Sequence, residues 1–314
     1  MSSEKNPLII IAGPTGVGKS DLAVALAKRI GGEVISADSM QVYRGMDIGT
    51  AKITPEEMRG VPHHLIDVCD PGEEWSVVRF QEMAKEVLPG IYGRGNVPIL
   101  CGGTGFYIQA LLYDIDFTEH NDGGVYRKEL EERAVNGEGL QLYEELQEAD
   151  PAAAAAIHPH NIKRVIRALE FHAQTGERIS VHNDTQRQRP SAFDSRFFVT
   201  TDSRKKLYER TDRRVDKMLE AGLLEEVRIL REQGYDRSFV SMQGLGYKEI
   251  LAWLDGETTL DEAVRILKRD TRHFAKRQLT WFKRERDVIW LSREQLPGDE
   301  DILREMMNCI PGKH

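Results

Sequence analysis

The residues with the clearest chemistry lie within the first twenty positions of the chain. They form the run Gly13, Pro14, Thr15, Gly16, Val17, Gly18, Lys19 and Ser20. This run fits the phosphate-binding pattern G-x-x-x-x-G-K-[ST]. Its glycines let backbone N–H groups converge on an anion at the start of a helix, where the helix dipole adds positive potential. Lys19 supplies a positive charge and Ser20 a hydroxyl ligand for Mg²⁺. The run predicts a diphosphate or triphosphate site with Mg²⁺ as cofactor, and it leaves open whether ATP also binds.

The elements around this run must place it at the edge of a sheet. Strands are predicted at residues 8–12, 34–37, 97–101, 197–201 and 288–291. A helix is predicted directly after the run, at 18–30, and another begins at Thr54. Short apolar runs that alternate with helical patterns are typical of a parallel α/β sheet.

The middle of the chain has a different character. Only helices are predicted there, at residues 125–134, 140–149, 151–157 and 162–175, before a polar connector at 182–196. The sequence therefore predicts an α/β fold, with a P-loop parallel-sheet core and an inserted all-helical domain. The predicted core covers residues 1–117 plus 200–294, the insertion 118–199 and a C-terminal tail 295–314.

Composition excludes several classes of protein. The 314 residues include 43 Lys+Arg and 51 Asp+Glu, giving a net charge of -8, so the chain is not coated with basic charge. Cys69, Cys101 and Cys309 are widely spaced, which indicates neither a disulfide framework nor a cysteine zinc site. No run approaches the roughly 18 apolar residues of a membrane span, and no signal peptide is recognisable. We expect a cytoplasmic protein with no membrane partner, and nothing indicates an obligatory protein partner.

Two polar residues follow predicted strands and are expected beside the phosphate site. Asp38 comes directly after strand 34–37, and Thr104 comes shortly after strand 97–101. Because parallel strands end at one edge of the sheet, both side chains should face the same crevice. The alternative for each residue is a helix-capping role, for Asp38 at a helix that begins at Ser39.

The segment from Asp38 to Lys52, DSMQVYRGMDIGTAK, resembles the signature of the tRNA dimethylallyltransferase (tRNA isopentenyltransferase) family. Further motifs of that family occur in order: GPTGVGKS, PHHLID, GGTGFY, RALE, GYKE and AKRQLTWF. The matches span about residues 8–290. Eukaryotic members often add a C-terminal zinc finger, which Cys309 alone cannot form, so the chain resembles the shorter bacterial form.

This resemblance implies an enzyme that moves a dimethylallyl group from its diphosphate to N6 of adenosine 37, next to the tRNA anticodon. Diphosphate is released and ATP is not consumed. The implied catalytic residues are Asp38, which would accept a hydrogen bond from N6–H, Thr104, and Arg214, which would contact the diphosphate. The P-loop would hold the diphosphate of dimethylallyl diphosphate. For Arg214, a solvated charge on a helix is the alternative.

The resemblance also implies the residues that bind tRNA. They are Asp38, Ser39, Met40, Gln41, Thr104, Tyr126, Arg127, Lys163, Arg164, Val165, Ile166, Arg167, Lys276 and Arg277. The three basic residues near position 165 avoid the apolar stripe of their helix, and nine Lys/Arg between Arg265 and Arg286 predict a phosphate-binding stripe. His63 and His64 have no third ligand in the pattern, so a structural role is expected for them.

Two other functions are compatible with the P-loop. A small-molecule kinase would explain the phosphate site and the sheet, but not the basic helical segments. A regulatory nucleotide-binding protein would leave Asp38 at the crevice unexplained.

Overall fold

The computed structural model describes residues 5–117 and 124–311. The chain separates into two compact units. The first combines Met1–Leu112 with Ala192–His314, and the second is Tyr113–Ser191. Among the described residues, no helix is both long and apolar enough to cross a membrane.

The first unit is built on a parallel sheet of six strands in the order β3-β2-β4-β1-β5-β6. The strands are β1 Pro7–Ala12, β2 Gly32–Ala37, β3 His63–His64, β4 Val97–Gly102, β5 Asp194–Thr201 and β6 Val288–Ser292. Residues 8–12 of β1 are buried, as expected for a central parallel strand that reads as an unbroken apolar run. The predicted α/β class with a parallel sheet is confirmed.

The helices of the described residues are, in chain order, α1 Lys19–Ile30, α2 Pro55–Met58, α3 Val77–Gly93, α4 Gly105–Leu112, α5 Val125–Val135, α6 Gly139–Ala149, α7 Pro151–Ala156, α8 Ile162–Thr175, α9 Ile179–Gln188, α10 Arg204–Glu220, α11 Leu223–Glu232, α12 Tyr247–Leu254, α13 Leu260–Phe282 and α14 Asp299–Asn308. Local chemistry sets several of their ends. Thr54 and Glu57 form a capping box at α2, and Gly31 ends α1 with φ 69°.

The segment predicted as a C-terminal tail contains helix α14, which packs against α1 within the first unit. Ile302, Leu303 and Met306 are buried in the core cluster that also contains Leu22 of α1. Arg29 of α1 adds an ion pair of 2.6 Å to Glu300. Residues spaced three and four apart give α14 one apolar face, which covers the outer side of α1.

The second unit has a hydrophobic core of its own, formed by Leu130, Leu142, Leu146 and the apolar face of α8. Its described residues contain helices α5 to α9 and no strand. The predicted connector at 182–196 is wrong, because α9 occupies its first part and β5 its last. The buried Asp150 carboxylate fixes the start of α9 by accepting hydrogen bonds from Ser180 N, at 2.9 Å, and from Ser180 Oγ, at 2.7 Å.

Candidate active site

Three neighbouring strands deliver the chemistry-bearing residues to one edge of the sheet. The P-loop follows β1, Asp38 follows β2, and Thr104 follows β4 after Gly103. These strands are adjacent in the order β2-β4-β1, so their carboxyl ends lie side by side. Together with Arg214 of α10 they line a cavity of about 360 Å³. Thr104 also lies directly before α4. It therefore lines the cavity and begins a helix at the same time, so the two roles expected for it do not exclude each other.

The P-loop needs glycine for geometric reasons. A Cβ at Gly13 would lie 2.4 Å from the Thr200 carbonyl oxygen, and Gly18 has φ 86° at the start of α1. Lys19 folds back over the loop, where Nζ donates a 2.9 Å hydrogen bond to the Pro14 carbonyl. The exposed Ser20 follows it and lines the same cavity.

Two cations inside the cavity have depressed pKa values. Burial lowers the pKa of Lys19 to about 8, and the positive charge of Arg214 adds to this effect, while the negative charge of Asp38 partly offsets it. Burial also lowers the pKa of Arg214, and Asp38 again opposes the shift. The Arg214 guanidinium donates through Nη2 to the Thr50 carbonyl at 2.9 Å. Arg214 is therefore not the solvated helix charge considered above: it is held at the cavity, where an anion would relieve its desolvation.

Asp38 closes a tight turn rather than starting a helix. Its Oδ1 accepts hydrogen bonds from Met40 N at 2.9 Å and from Gln41 N at 3.3 Å. Residues 38–41 are not helical, so the helix-capping alternative for Asp38 is wrong. The turn fixes the carboxylate against the backbone while it lines the cavity.

Gln278 of α13 is a part of the site that the sequence analysis missed. Its Oε1 accepts a 2.9 Å hydrogen bond from Thr15 N, and its Nε2 donates at 3.0 Å to the Gly103 carbonyl. The side chain thus ties the P-loop to the segment that carries Thr104. The available signal was a polar residue on the buried face of a helix, inside the AKRQLTWF motif.

Arg293, just beyond β6, braces the P-loop from another direction. Its Nε donates a 2.9 Å hydrogen bond to the Val17 carbonyl, and its Nη2 pairs with Asp299 of α14 at 2.7 Å. The side chain is only 7% exposed, so this contact fixes the loop firmly. No sequence pattern indicated it, because nothing in the spacing links β6 to the P-loop.

A second cavity, of about 820 Å³, lies on another side of the P-loop. Lys19, Ser20 and Arg214 line both cavities. The second is markedly basic, with Lys52, Arg210, Arg213 and Lys217 against Asp21 and Asp47. Such a concentration of positive charge around backbone N–H groups suits a diphosphate better than a neutral ligand.

The described residues contain no group of three or more His, Cys, Asp or Glu side chains arranged to hold a metal ion. His63 and His64 make contacts within the protein: His63 Nδ1 lies 2.8 Å from the Val61 carbonyl, and His64 Nε2 lies 2.7 Å from Glu33 Oε2. The Ser20 hydroxyl is a suitable ligand for Mg²⁺ bound to a diphosphate, because Mg²⁺ usually keeps several waters and takes few protein oxygens.

Comparison with known proteins identifies the family. The family model for IPP transferase matches residues 41–285, and that for isopentenyl transferase matches residues 6–69. A tRNA dimethylallyltransferase of Lachnoclostridium phytofermentans is 61% identical over 98% of both chains. This chain belongs to the IPP transferase family.

Solved structures of proteins in the IPP transferase family have the same fold. A tRNA isopentenylpyrophosphate transferase of Bacillus halodurans matches with a TM-score of 0.75 and 47% identity, covering 98% of this chain and 97% of that one. A eukaryotic dimethylallyltransferase acting on tRNA matches with a TM-score of 0.80 and 32% identity, covering 96% of this chain and 78% of that one. The resemblance inferred from the motifs is confirmed, and the relatives are transferases.

The residues that family resemblance assigned to tRNA binding fall into two groups. In the first unit, Ser39, Met40, Gln41 and Arg277 line the 360 Å³ cavity together with Asp38 and Thr104. Lys276 is exposed on α13 and does not line that cavity.

In the second unit, Lys163, Arg164 and Arg167 are exposed on α8. Val165 and Ile166 are 0% and 3% exposed in its core, so their side chains pack inside the unit, and their contact with tRNA stays a prediction. Tyr126 packs against the same core, and Arg127 pairs with Glu131 and Glu170 at 3.2 Å each.

Proposed function

We propose that this protein transfers the dimethylallyl group of dimethylallyl diphosphate to N6 of adenosine 37 in tRNA and releases diphosphate. The observation that carries the proposal is the single cavity in which Lys19, Asp38, Thr104 and Arg214 meet. Lys19 and Arg214 would stabilise a leaving anion there, and Asp38 and Thr104 would orient an amine, so their presence in one cavity supports the proposal. Membership of the IPP transferase family supports the same reaction.

The donor binds through its diphosphate at the P-loop. In the reaction the bond from the donor's C1 to the diphosphate oxygen breaks, and negative charge collects on the leaving group. The P-loop N–H groups, Lys19 and Arg214 stabilise that charge from a partly buried site, where such contacts are stronger than in water. Mg²⁺ held at Ser20 supplies further stabilisation of the diphosphate when it is bound.

The acceptor is the exocyclic amine of an adenine, which gains the bond to C1 and loses a proton. The Asp38 carboxylate accepts the hydrogen bond from N6–H, which orients the amine and draws its proton away. Thr104 and the segment from Ser39 to Gln41 contact the nucleotide from the neighbouring strand end. An anticodon loop presents unstacked bases, so placing one in such a cavity has a modest energetic cost.

The exposed face of α8 and the end of α13 bind tRNA phosphates. Lys163, Arg164 and Arg167 form the first surface, and Lys276 with Arg277 the second. A tRNA substrate is consistent with a cytoplasmic enzyme that needs no obligatory protein partner.

Radiolabelled dimethylallyl diphosphate, purified tRNA and Mg²⁺ test the function directly, with ATP omitted. Label should enter tRNA at adenosine 37, and a tRNA with guanosine at that position is the matched control. Absence of transfer, together with phosphorylation of a small molecule from ATP, would support the kinase alternative instead.

A further inference from the structure

A carboxylate outside the cavity organises the loop that holds Arg214. Glu226 of α11 accepts three consecutive backbone hydrogen bonds: its Oε2 from Asp47 N at 2.9 Å and from Ile48 N at 2.7 Å, and its Oε1 from Gly49 N at 2.9 Å. Successive N–H groups that converge on one anion form a nest, a strongly directional arrangement. Here the anion is a side chain of the protein itself, so the loop is fixed before any substrate arrives.

Tyr247 of α12 completes this arrangement. Its hydroxyl donates a 2.7 Å hydrogen bond to Glu226 Oε1, and its ring is fully buried. The ring lies so close to Gly49 that a Cβ at that position would be 2.5 Å from it. The two Glu226 oxygens therefore accept four hydrogen bonds between them, and the Tyr247 ring prevents the loop from moving in that direction.

The next residue of the loop connects this arrangement to the cavity. The Thr50 hydroxyl donates to the Met46 carbonyl at 2.7 Å, which orients the Thr50 peptide, and the Thr50 carbonyl accepts the Arg214 guanidinium at 2.9 Å. Gly49 and Thr50 themselves line the cavity.

We propose that Glu226 is a positioning residue: by fixing residues 47–49 it places the Thr50 carbonyl that orients Arg214 toward the donor diphosphate. The proposal rests on the proposed function. It predicts that the contribution of Arg214 to diphosphate binding depends on a carboxylate at position 226. Glutamine cannot replace it, because one oxygen becomes an NH₂ group that faces backbone N–H donors. An accidental stabilising contact would instead affect folding and both substrates alike.

The test uses Glu226→Gln, Tyr247→Phe and the matched control Glu225→Gln. Glu225 is the exposed neighbour on α11, and its ion pair within the described part of the chain is with Arg228 of the same helix. We expect Glu226→Gln to raise the KM for dimethylallyl diphosphate about tenfold or more. The KM for tRNA should change less than about threefold at saturating donor. Tyr247→Phe should have a smaller effect of the same kind, and Glu225→Gln none.

A double-mutant cycle with Arg214→Gln separates positioning from general stability. If Glu226 acts through Arg214, adding Glu226→Gln to Arg214→Gln should change the donor KM less than about twofold. Effects that multiply, or a lowered melting temperature without a selective change in donor KM, would overturn the proposal.

Calorimetric binding of inorganic diphosphate distinguishes failure of this proposal from failure of the proposed function. Wild-type protein that does not label tRNA would refute the function. Reduced diphosphate affinity of Glu226→Gln, with no further reduction in the Arg214→Gln background, would still support the positioning role. Unchanged affinity would refute it.

Discussion

Replacing Asp38 by asparagine separates the chemistry of this residue from its structural contacts. The asparagine carbonyl can accept the hydrogen bonds from Met40 N and Gln41 N that Asp38 Oδ1 accepts. The turn at residues 38–41 should therefore persist, with a change in unfolding free energy within about 1 kcal/mol. What disappears is the negative charge that faces Lys19, Arg214 and, in our proposal, the N6–H of adenine.

The expected loss in kcat is about 10²–10⁴-fold, the usual contribution of a general base or an orienting carboxylate. This corresponds to roughly 3–5 kcal/mol of transition-state stabilisation. A second effect follows from the charge of Asp38, which raises the pKa of Lys19 against its desolvation. Without that charge, the pKa of Lys19 should fall below its value of about 8, so the ammonium should be lost at lower pH.

The assay is steady-state transfer of labelled dimethylallyl to tRNA, with each substrate varied separately from pH 6 to pH 9. Wild-type kcat/KM for the donor should decline as pH rises through about 8, where Lys19 deprotonates, and in Asp38→Asn the decline should begin at lower pH. Affinity for tRNA should be retained. A near-normal kcat for Asp38→Asn, with kcat/KM declining at the same pH as in wild type, would refute this prediction. The role of Asp38 would then be limited to the turn at residues 38–41.

Four other variants test separate parts of the structure. Lys19→Ala and Arg214→Ala should each reduce kcat/KM for the donor by about 10²–10³, with the KM for tRNA unchanged; an effect on tRNA alone would place these residues in the RNA surface. Glu33 is 1% exposed and its hydrogen bond to Arg94 lowers its pKa to about 2. Its stabilising contribution is present above pH 4.5 and is lost as pH falls toward 2, so acid unfolding of Glu33→Gln should lack that pH dependence. Alanine at Lys163, Arg164 and Arg167 together should lower the slope of log affinity for tRNA against log salt by up to about 2–3, while identical slopes would mean that this surface is merely solvated.

The edge of the sheet that carries the site could be predicted because it follows from local rules. A strand, a glycine-rich loop and a helix place the phosphate site, and any residue that follows a parallel strand reaches the same edge. Asp38 and Thr104 were located in this way. The β2-β4-β1 order, which makes them neighbours of the P-loop, is a property of the whole sheet and was not readable.

Contacts between segments distant in sequence could not be predicted. Gln278 reaches Thr15 across 263 positions, and Arg293 reaches Val17 across 276. Neither contact leaves a periodic pattern in the sequence. A single polar residue among buried ones does not reveal which distant segment its side chain will contact. Helix α9 was missed for a related reason: its polar sequence gives it little apolar face, and its first turn is fixed by Asp150, which lies between α6 and α7.

Four of the basic residues predicted to form a phosphate-binding stripe on α13 are paired with carboxylates. Arg265 and Arg269 pair with Glu262 and Asp270 of their own helix, while Lys268 and Arg272 pair with Asp216 and Asp212 of α10. A cation already compensated by a carboxylate adds little net charge for a phosphate, and counterion release scales with net charge.

Lys276 and Arg277 differ from those four. The Arg277 guanidinium lies 5.8 Å from the centre of the Phe274 ring and lines the cavity, and Lys276 is exposed without an acidic partner among the described residues. The proposed contact of α13 with RNA is thereby narrowed to these two residues. It lies at the end of the helix where Gln278 joins the P-loop to Gly103. Under the proposed function, one short segment would therefore serve both the donor site and the tRNA.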